Sequence, residues 1–393
     1  MSKQYNSKRI EQRVAVTAVL LLLATGHWLL VTGVHADAGK SGGQFIRIVQ
    51  SPRASAMGDS GAGLYGDILG SIALNPAGLS RTGYREIAFV YNSWIEGISM
   101  QQIAYAHPFK KTGTLAFSVS MLNISDFPGY DNSGAYAGDV KAGDILFQAG
   151  YASRLKGPWN DRRLGLFCGA GVKYARETLE AVTARTTLLD FGFLSISRLG
   201  AGFLGLGISM QSMGSGFKFD SEKDKSPSIL NTGLSYITML WGDPFTVAFD
   251  FKKPNDGEIR FSAGLEFLLK RIVAWRIGYV SDEDLGSGLR FGAGFNLKLF
   301  QLDYALSNYD RFGSAHRFGM SYKFGKPVET LSYLTPEQEK ARWRLARAEK
   351  FMEKNRYYEA VLELNEALKL EPNLQEALDM MKKARILMET HQK

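Results

Sequence analysis

The sequence is short of the residues on which small catalytic and metal sites usually depend. It contains a single cysteine, Cys168, which excludes an internal disulfide and a cysteine-rich zinc site. Of its five histidines, two fall in the first 36 residues and three are widely separated, so no spacing is typical of metal ligands. We therefore predict no enzyme, no metal site and no cofactor.

Long apolar runs are equally scarce. The one run long enough for a membrane helix is Val14–Val34, and four basic residues precede it. The small residues of Val34-His35-Ala36 then offer a cleavage site, so residues 1–36 are predicted to be a secretory signal peptide that is removed. An N-terminal membrane anchor is the alternative. Although the net charge is +8, no Lys/Arg run is dense enough to predict nucleic-acid binding.

Glycine and aromatic residues are abundant, and proline is not. The chain has 42 Gly, 24 Phe and 17 Tyr against 11 Pro, which is typical of many strands joined by tight turns. From Glu86 to Phe324, apolar residues alternate with small or polar ones, as in the stretch Leu289–Leu297. A period of two predicts strands with two chemically different faces. A soluble sandwich would give the same alternation, but the aromatic-rich apolar face and the small opposite face favour a membrane barrel.

The strand region 86–325 holds about fourteen such segments. The predicted fold class is therefore mostly β: a transmembrane antiparallel β-barrel with an N-terminal plug and a small C-terminal helical module. An even number of strands places both ends of the barrel wall on one side. The breaks at Ser125–Lys141, Phe217–Lys225 and Ser281–Ser287 are predicted to be the longer, outer loops.

Six charged residues fall on the small, polar face of these strands and are predicted to point into the lumen. They can pair with one another or with the plug, or they can form a polar path or contact the head group of a ligand. The six residues are Arg260, Glu266, Arg276, Arg290, Asp303 and Arg317.

Residues 37–85 precede the first strand and are rich in Gly, Ala and Ser. This composition suits a segment in a confined space where backbone approaches backbone. We predict that it is a plug inside the barrel and that the chain enters from the periplasmic side, where the wall begins and ends. Asn75-Pro76-Ala77-Gly78 is predicted to form the turn that leads from the plug to the wall.

Within this region, SPRASAMGDSGAGLYGDILGSIALNPAGLS resembles the N-terminus of the PorV/PorQ family and, more broadly, of FadL-type outer-membrane proteins. The resemblance rests on Arg53, Ala56-Met57-Gly58, Gly61 and Asn75–Leu79, at matching spacing. The plug motif that it defines comprises Met57, Gly58, Asn75, Pro76, Ala77 and Gly78. The resemblance implies a location in the outer membrane of a diderm bacterium and a hatch that fills a fourteen-stranded barrel.

Composition changes after Lys326, where Gly disappears and Glu, Lys, Ala and Leu dominate. Residues 326–393 are predicted to form a tetratricopeptide-like helical module in the periplasm, with a generic helical hairpin as the alternative. The residues at the spacing of that repeat are Ala348, Phe351, Tyr357, Ala360, Leu364, Ala367 and Pro372.

Two functions are compatible with these predictions. By its resemblance to FadL-type proteins, the barrel takes up hydrophobic compounds such as long-chain fatty acids. By its resemblance to PorV, it is a docking component in protein secretion or surface attachment, and the helices bind a periplasmic protein. A soluble periplasmic β-protein is a third possibility. The predicted partners are outer-membrane lipid, a hydrophobic ligand and a periplasmic protein.

Overall fold

The computed structural model describes residues 41–391 except 111, 156–163, 181, 201, 220–222, 282–285, 329–335 and 373. The predicted signal peptide lies outside the described residues. The chain divides into two compact units, one ending at Thr330 and the other spanning Leu331–Lys393.

Eighteen strands are present among the described residues of the first unit, and fourteen of them close into an antiparallel barrel in the order β1-β18-β17-β16-β15-β14-β13-β12-β9-β8-β7-β6-β3-β2. The fourteen-stranded fold predicted from the alternation is thus confirmed. The strands are β1 (Arg85–Ser93), β2 (Ser99–Phe109), β3 (Gly113–Asn123), β4 (Phe127–Tyr130), β5 (Tyr136–Val140), β6 (Ala142–Arg154), β7 (Leu164–Leu179), β8 (Val182–Leu199), β9 (Gly202–Gly214), β10 (Phe217–Lys218), β11 (Lys223–Asp224), β12 (Ile229–Leu240), β13 (Asp243–Pro254), β14 (Arg260–Leu269), β15 (Val273–Val280), β16 (Leu289–Leu297), β17 (Phe300–Asn308) and β18 (Ser314–Phe324).

The period of two separates an inner from an outer face on each barrel strand. On β15, for example, Arg276 is 5% exposed whereas its neighbour Trp275 is 59% exposed. Large apolar side chains are exposed in this way all round the barrel, among them Phe89, Phe193 and Phe318. Since β1 pairs with β18, every barrel strand has two neighbours and the wall has no open edge.

The two ends of the barrel differ in the length of their connections. At one end, which we name the closing end, β1 begins, β18 ends and tight turns join strands, such as 241–242 and 298–299. The opposite end, the loop end, carries the connections 124–141 and 215–228. Two of the predicted outer loops lie there, but they are not plain loops, because they contain the hairpins β4–β5 and β10–β11.

The described part of the second unit contains three helices, α3 (Pro336–Glu353), α4 (Tyr357–Leu370) and α5 (Gln375–His391). Their shared core is built from small and apolar side chains such as Ala348, Ala360, Leu364 and Ala367, all fully buried. Phe351 packs against this core, whereas Tyr357 is half-buried and Pro372 is exposed. Among the described residues, no helix is both long and apolar enough to cross a membrane.

Candidate functional site in the barrel lumen

Residues 41–82, which we name the plug segment, lie inside the barrel and run from one end to the other. Ser41 pairs with Lys225 at the loop end, where Arg47 forms an ion pair with Asp256 at 2.7 Å. The segment then passes through helices α1 (Pro52–Ala56) and α2 (Ile68–Leu74) and a 3-10 helix (Pro76–Arg81) before β1 begins at the closing end. The prediction that the chain enters from the closing end is therefore wrong. The position of the barrel termini fixes only where the plug segment ends, not where it begins.

Glycines on the inner face of the wall let the plug segment approach closely. A Cβ atom at Gly264 or Gly278 would lie within 2.8 Å of Met57 atoms, and Met57 itself is fully buried. Gly58 contributes from the other side: its φ is +71°, and a Cβ there would lie 2.4 Å from the carbonyl oxygen of Tyr279. Backbone thus packs on backbone, for which glycine is the suitable residue.

Asn75 anchors the second half of the motif. Its side chain donates to the carbonyls of Ala62 at 2.7 Å and Phe193 at 3.0 Å, and it accepts from the backbone N–H of Ala77 at 3.0 Å. Pro76 and Ala77 lie against Gly169 of the wall. The turn predicted over Asn75–Gly78 is present, since the N–H of Gly78 donates to the carbonyl of Asn75 at 3.0 Å. It continues as a 3-10 helix that Asn75 caps and in which Gly78 packs beside Ser71.

One side of the lumen is polar and charged. Arg53 of the plug segment holds Glu266 with two hydrogen bonds of 2.7 and 2.9 Å. Glu266 also accepts from Arg276 at 2.7 Å, and Arg276 donates to Asp303 at 2.6 Å. The two arginines and two carboxylates form one buried chain across β14, β15 and β17, which ties the plug segment to the wall.

Two other buried arginines have no carboxylate partner among the described residues. Arg317 is 2% exposed and donates to the carbonyl of Val49 at 3.2 Å and to Ser307 at 3.0 Å, with its guanidinium 4.7 Å from the ring of Trp94. Arg290 is 3% exposed, stacks over Tyr309 at 4.6 Å, and its Nη1 atom has no hydrogen-bond partner. Both arginines neighbour Ser307: Arg290 is its register partner, and Arg317 donates to its hydroxyl. Among the described residues, positive charge is therefore concentrated near the loop end of the lumen without a paired carboxylate.

Unpaired polar atoms and apolar side chains surround these arginines. Asn92, the register partner of Arg317, is fully buried, and both atoms of its amide lack a hydrogen-bond partner. The Oε1 atoms of Gln50 and Gln102 are buried and unpaired as well. Met100, the register partner of Asn92 on β2, belongs to an apolar cluster at the loop end. That cluster, which we name the mouth cluster, contains Phe45, Met100, Leu122, Leu146, Ala175, Ala184 and Phe217, with Ile46, Ile48, Ile98, Ile124 and Phe219 packed against it.

The six predicted lumen charges thus separate into three groups. Glu266, Arg276 and Asp303 form the ionic chain, Arg290 and Arg317 are buried without a carboxylate partner among the described residues, and Arg260 is exposed at the rim of the loop end. Arg53, Asn92 and Trp94 also belong to the lumen site and are not among the predicted site residues. Arg53 could have been predicted from the sequence, because it belongs to the N-terminal motif. Asn92 could also have been predicted, because it lies on the inner face that the alternation defines.

Hydrogen bonds stabilise the plug segment at the loop end. Asp256 accepts from Arg47, from Gln44 at 2.9 Å and from Ser41. Burial acts to raise the pKa of Asp256, but the hydrogen bonds from Ser41, Arg47 and Gln44 outweigh it and hold this pKa below its ordinary value. The described residues contain no group of three or more His, Cys, Asp and Glu side chains placed to hold a metal ion.

The fold is similar to solved structures of outer-membrane channels. The CymD monoaromatic hydrocarbon channel is 11% identical with a TM-score of 0.47, and the match covers 73% of this chain and 99% of that one. A Pseudomonas aeruginosa FadL homologue is 11% identical with a TM-score of 0.41, covering 70% and 98%. The P. putida toluene transporter TodX has the same identity and TM-score, covering 69% and 97%. No family model and no curated protein sequence matches this chain.

Proposed function

We propose that the barrel spans an outer membrane and takes up amphiphilic acids with a long apolar chain, such as long-chain fatty acids. Support for a membrane location comes from the outer face, where large apolar side chains are exposed on strand after strand. A patch of this extent is unfavourable in water and favourable in hydrocarbon. The short turns at one end and long connections at the other fit the usual asymmetry of such barrels.

The class of ligand is inferred from two buried arginines, Arg290 and Arg317. A buried charge without a counter-charge is costly, and a guanidinium matches a carboxylate in shape and charge. The carboxylate of an incoming acid would supply a negative charge that no described residue gives these two arginines. The unpaired amide of Asn92 and the unpaired Nη1 of Arg290 would supply hydrogen bonds to its oxygens.

The mouth cluster is suited to the apolar chain of the same ligand. It adjoins the arginines through Met100 and Ile48, and it lies at the loop end, which would face the exterior. Binding sites for small molecules combine an apolar lining with a few polar groups that fix orientation, and this arrangement has both. An acyl chain can therefore be buried among Phe45, Leu122 and Leu146 while its head reaches the arginines.

Passage through the lumen requires the plug segment to move, because it now fills the space. The ionic chain from Arg53 fixes it to β14, β15 and β17. On the opposite side, Ile68, Leu69 and Ile72 form one apolar cluster with wall residues such as Ala88, Ala104 and Ala116. Apolar contacts with no directional bonds are easier to replace by an acyl chain, so we propose that the path opens on this side.

The test compares binding of a long-chain fatty acid with that of the alcohol of equal chain length. In the double variant Arg290→Gln and Arg317→Gln, loss of charge-assisted hydrogen bonds should raise the Kd of the acid about tenfold or more. The Kd of the alcohol should change little. Isothermal titration calorimetry on the purified full chain measures both.

Arg260→Gln is the matched control, because it removes a lumen-side charge at the exposed rim. It should leave both dissociation constants unchanged. Equal losses for acid and alcohol in the double variant, or no binding of the acid to the unaltered protein, would contradict the proposal.

The docking function remains the alternative prediction, and it depends on the helices α3–α5. It predicts that secretion components co-purify with the full chain and are lost when residues 336–393 are removed. Fatty-acid binding that survives this truncation would assign uptake to the barrel alone.

A further inference from the structure

The closing end of the barrel carries a ring of exposed cations, which we name the basic ring. Among the described residues of the turns and strand ends there, the acidic residues are only the half-buried Asp243 and the buried, inward-facing Glu86. No member of the ring forms an ion pair with a described residue. The ring comprises Arg85, Lys110, Lys270, Arg271, Lys298 and Lys326.

The loop end has the opposite character. Its connections expose acidic side chains between their basic ones, so that no comparable field of one sign develops. The exposed acidic residues there are Glu96, Asp126, Asp131, Asp139, Glu180, Asp224, Glu258 and Asp310. The difference in charge is therefore a property of one end of the molecule and not of the whole surface.

The backbone conformation of three turn residues indicates that they are present for their side chains and not for the geometry of the turn. Lys270, Arg271 and Lys298 have φ values of 48°, 58° and 52°, in the left-handed region. Gly and Asn adopt this region at the least cost, and they are the usual residues of tight strand turns. Long cationic side chains at all three positions therefore carry a conformational cost that the turn itself does not require.

Aromatic side chains border the basic ring on the outer face. Phe300 stacks on Tyr322 at 4.5 Å, Tyr322 on Phe324 at 5.8 Å, and Phe324 on Tyr105 at 6.4 Å, in a row across β17, β18 and β2. Trp241 extends from another turn of the closing end and is 87% exposed. Such aromatic belts lie at the level of lipid head groups, so the cations beyond them would lie at the level of the phosphates.

We infer that the basic ring binds the phosphate groups of anionic phospholipids in the leaflet at the closing end. The inference rests on the membrane location proposed above, but not on uptake of any ligand. Lys and Arg near an anionic membrane surface gain favourable electrostatic energy, and six such side chains add their contributions. The ring would thereby fix the depth of the barrel and enrich anionic lipid around it.

The experiment reconstitutes the full chain in vesicles of equal parts phosphatidylcholine and phosphatidylglycerol. Flotation first reports insertion, and native mass spectrometry after gentle extraction then reports the ratio of the two lipids bound. We expect enrichment of phosphatidylglycerol for the unaltered protein. In the triple variant Lys270→Asn, Arg271→Asn and Lys298→Asn, the enrichment should fall about tenfold. Asparagine removes the charge and tolerates the left-handed backbone.

The control variant Lys141→Gln, Lys223→Gln and Arg311→Gln removes three exposed charges at the loop end and should keep the enrichment. Inserted protein with no lipid preference, or an unchanged preference in the ring variant, would overturn the inference and leave the membrane location standing. Failure of the unaltered protein to float with the vesicles would overturn both.

Discussion

Gly58 places the backbone of the plug segment against the backbone of β14 and β15. Two separate conditions meet at this residue, a left-handed φ of +71° and wall oxygens where a Cβ atom would stand. Gly66 meets only the first condition, since its φ is +84° but no atom lies within 4 Å of the position of its Cβ. A comparison of Gly58 with Gly66 therefore separates the energetic cost of a left-handed φ from the cost of a steric clash.

We predict that Gly58→Ala lowers the free energy of unfolding more than Gly66→Ala does. Both variants bear about 1–2 kcal/mol for an alanine in the left-handed region. Gly58→Ala bears a further cost of about 1–3 kcal/mol, because its methyl group would displace the carbonyls of Tyr279 and Ala263. Urea-induced unfolding in detergent micelles measures the difference. Equal destabilisation would show that the plug segment does not press on the wall at this position.

The charged residues of the lumen show what can be predicted residue by residue. Strand alternation was sufficient to point Glu266, Arg276 and Arg317 inward, because side-chain direction follows from a period of two. It could not separate the paired charges from Arg290 and Arg317. That separation depends on Arg53, which lies 213 residues from Glu266 and meets it only through the orientation of the plug segment.

As an element, the plug segment is held unequally around the wall. Directional, charged bonds join it to β14, whereas an apolar cluster joins it to β1, β2 and β3. Glu266 is central to the first set, because it accepts from both Arg53 and Arg276. Removing its charge leaves two buried guanidinium groups without their shared partner.

We predict that Glu266→Gln frees the first half of the plug segment. Breaking a buried ion pair at one partner costs about 3–5 kcal/mol, which here destabilises the attachment of α1 to the wall. Hydrogen exchange followed by mass spectrometry should show faster exchange over residues 52–58. Asp303→Asn is the matched control, because it leaves the bonds between Arg53 and Glu266 in place and should change this exchange much less. Equal exchange in the two variants would show that Glu266 is not what attaches α1 to the wall.

The elements themselves were predictable where the alternation was long. The barrel strands of nine or more residues gave clear two-faced patterns, but the hairpin strand β4 has four residues and β10 has two, too few to establish a period. The turn predicted at Asn75–Gly78 is present, but its continuation as a 3-10 helix was not predicted. Asn and Pro also begin helices, and the buried carbonyls of Ala62 and Phe193 hold the Asn75 amide where it caps one.

At the scale of the whole molecule, the path of the plug segment reverses the expected order. The described chain starts at the loop end, crosses the lumen and joins β1 at the closing end. The sequence carries no marker of this direction, because a plug of either orientation needs the same small residues. Tertiary contacts fix the direction, because Arg47 donates hydrogen bonds to Asp256 and to two backbone carbonyls beyond β11, all at the loop end.

The orientation of the barrel in its membrane follows from the same asymmetry of ends, and it can be measured in intact cells. We predict that the loop end faces the exterior. With Cys168 replaced by serine, Ser133→Cys places a thiol on the exposed β4–β5 connection, and Lys298→Cys places one on a turn of the closing end. A maleimide that cannot cross membranes should label the first variant in intact cells and the second only after permeabilisation. Cys168→Ser alone gives the background. Labelling of the Lys298→Cys variant in intact cells would show that the barrel has the opposite orientation. The mouth cluster would then face the periplasm, where it could not receive a ligand from outside.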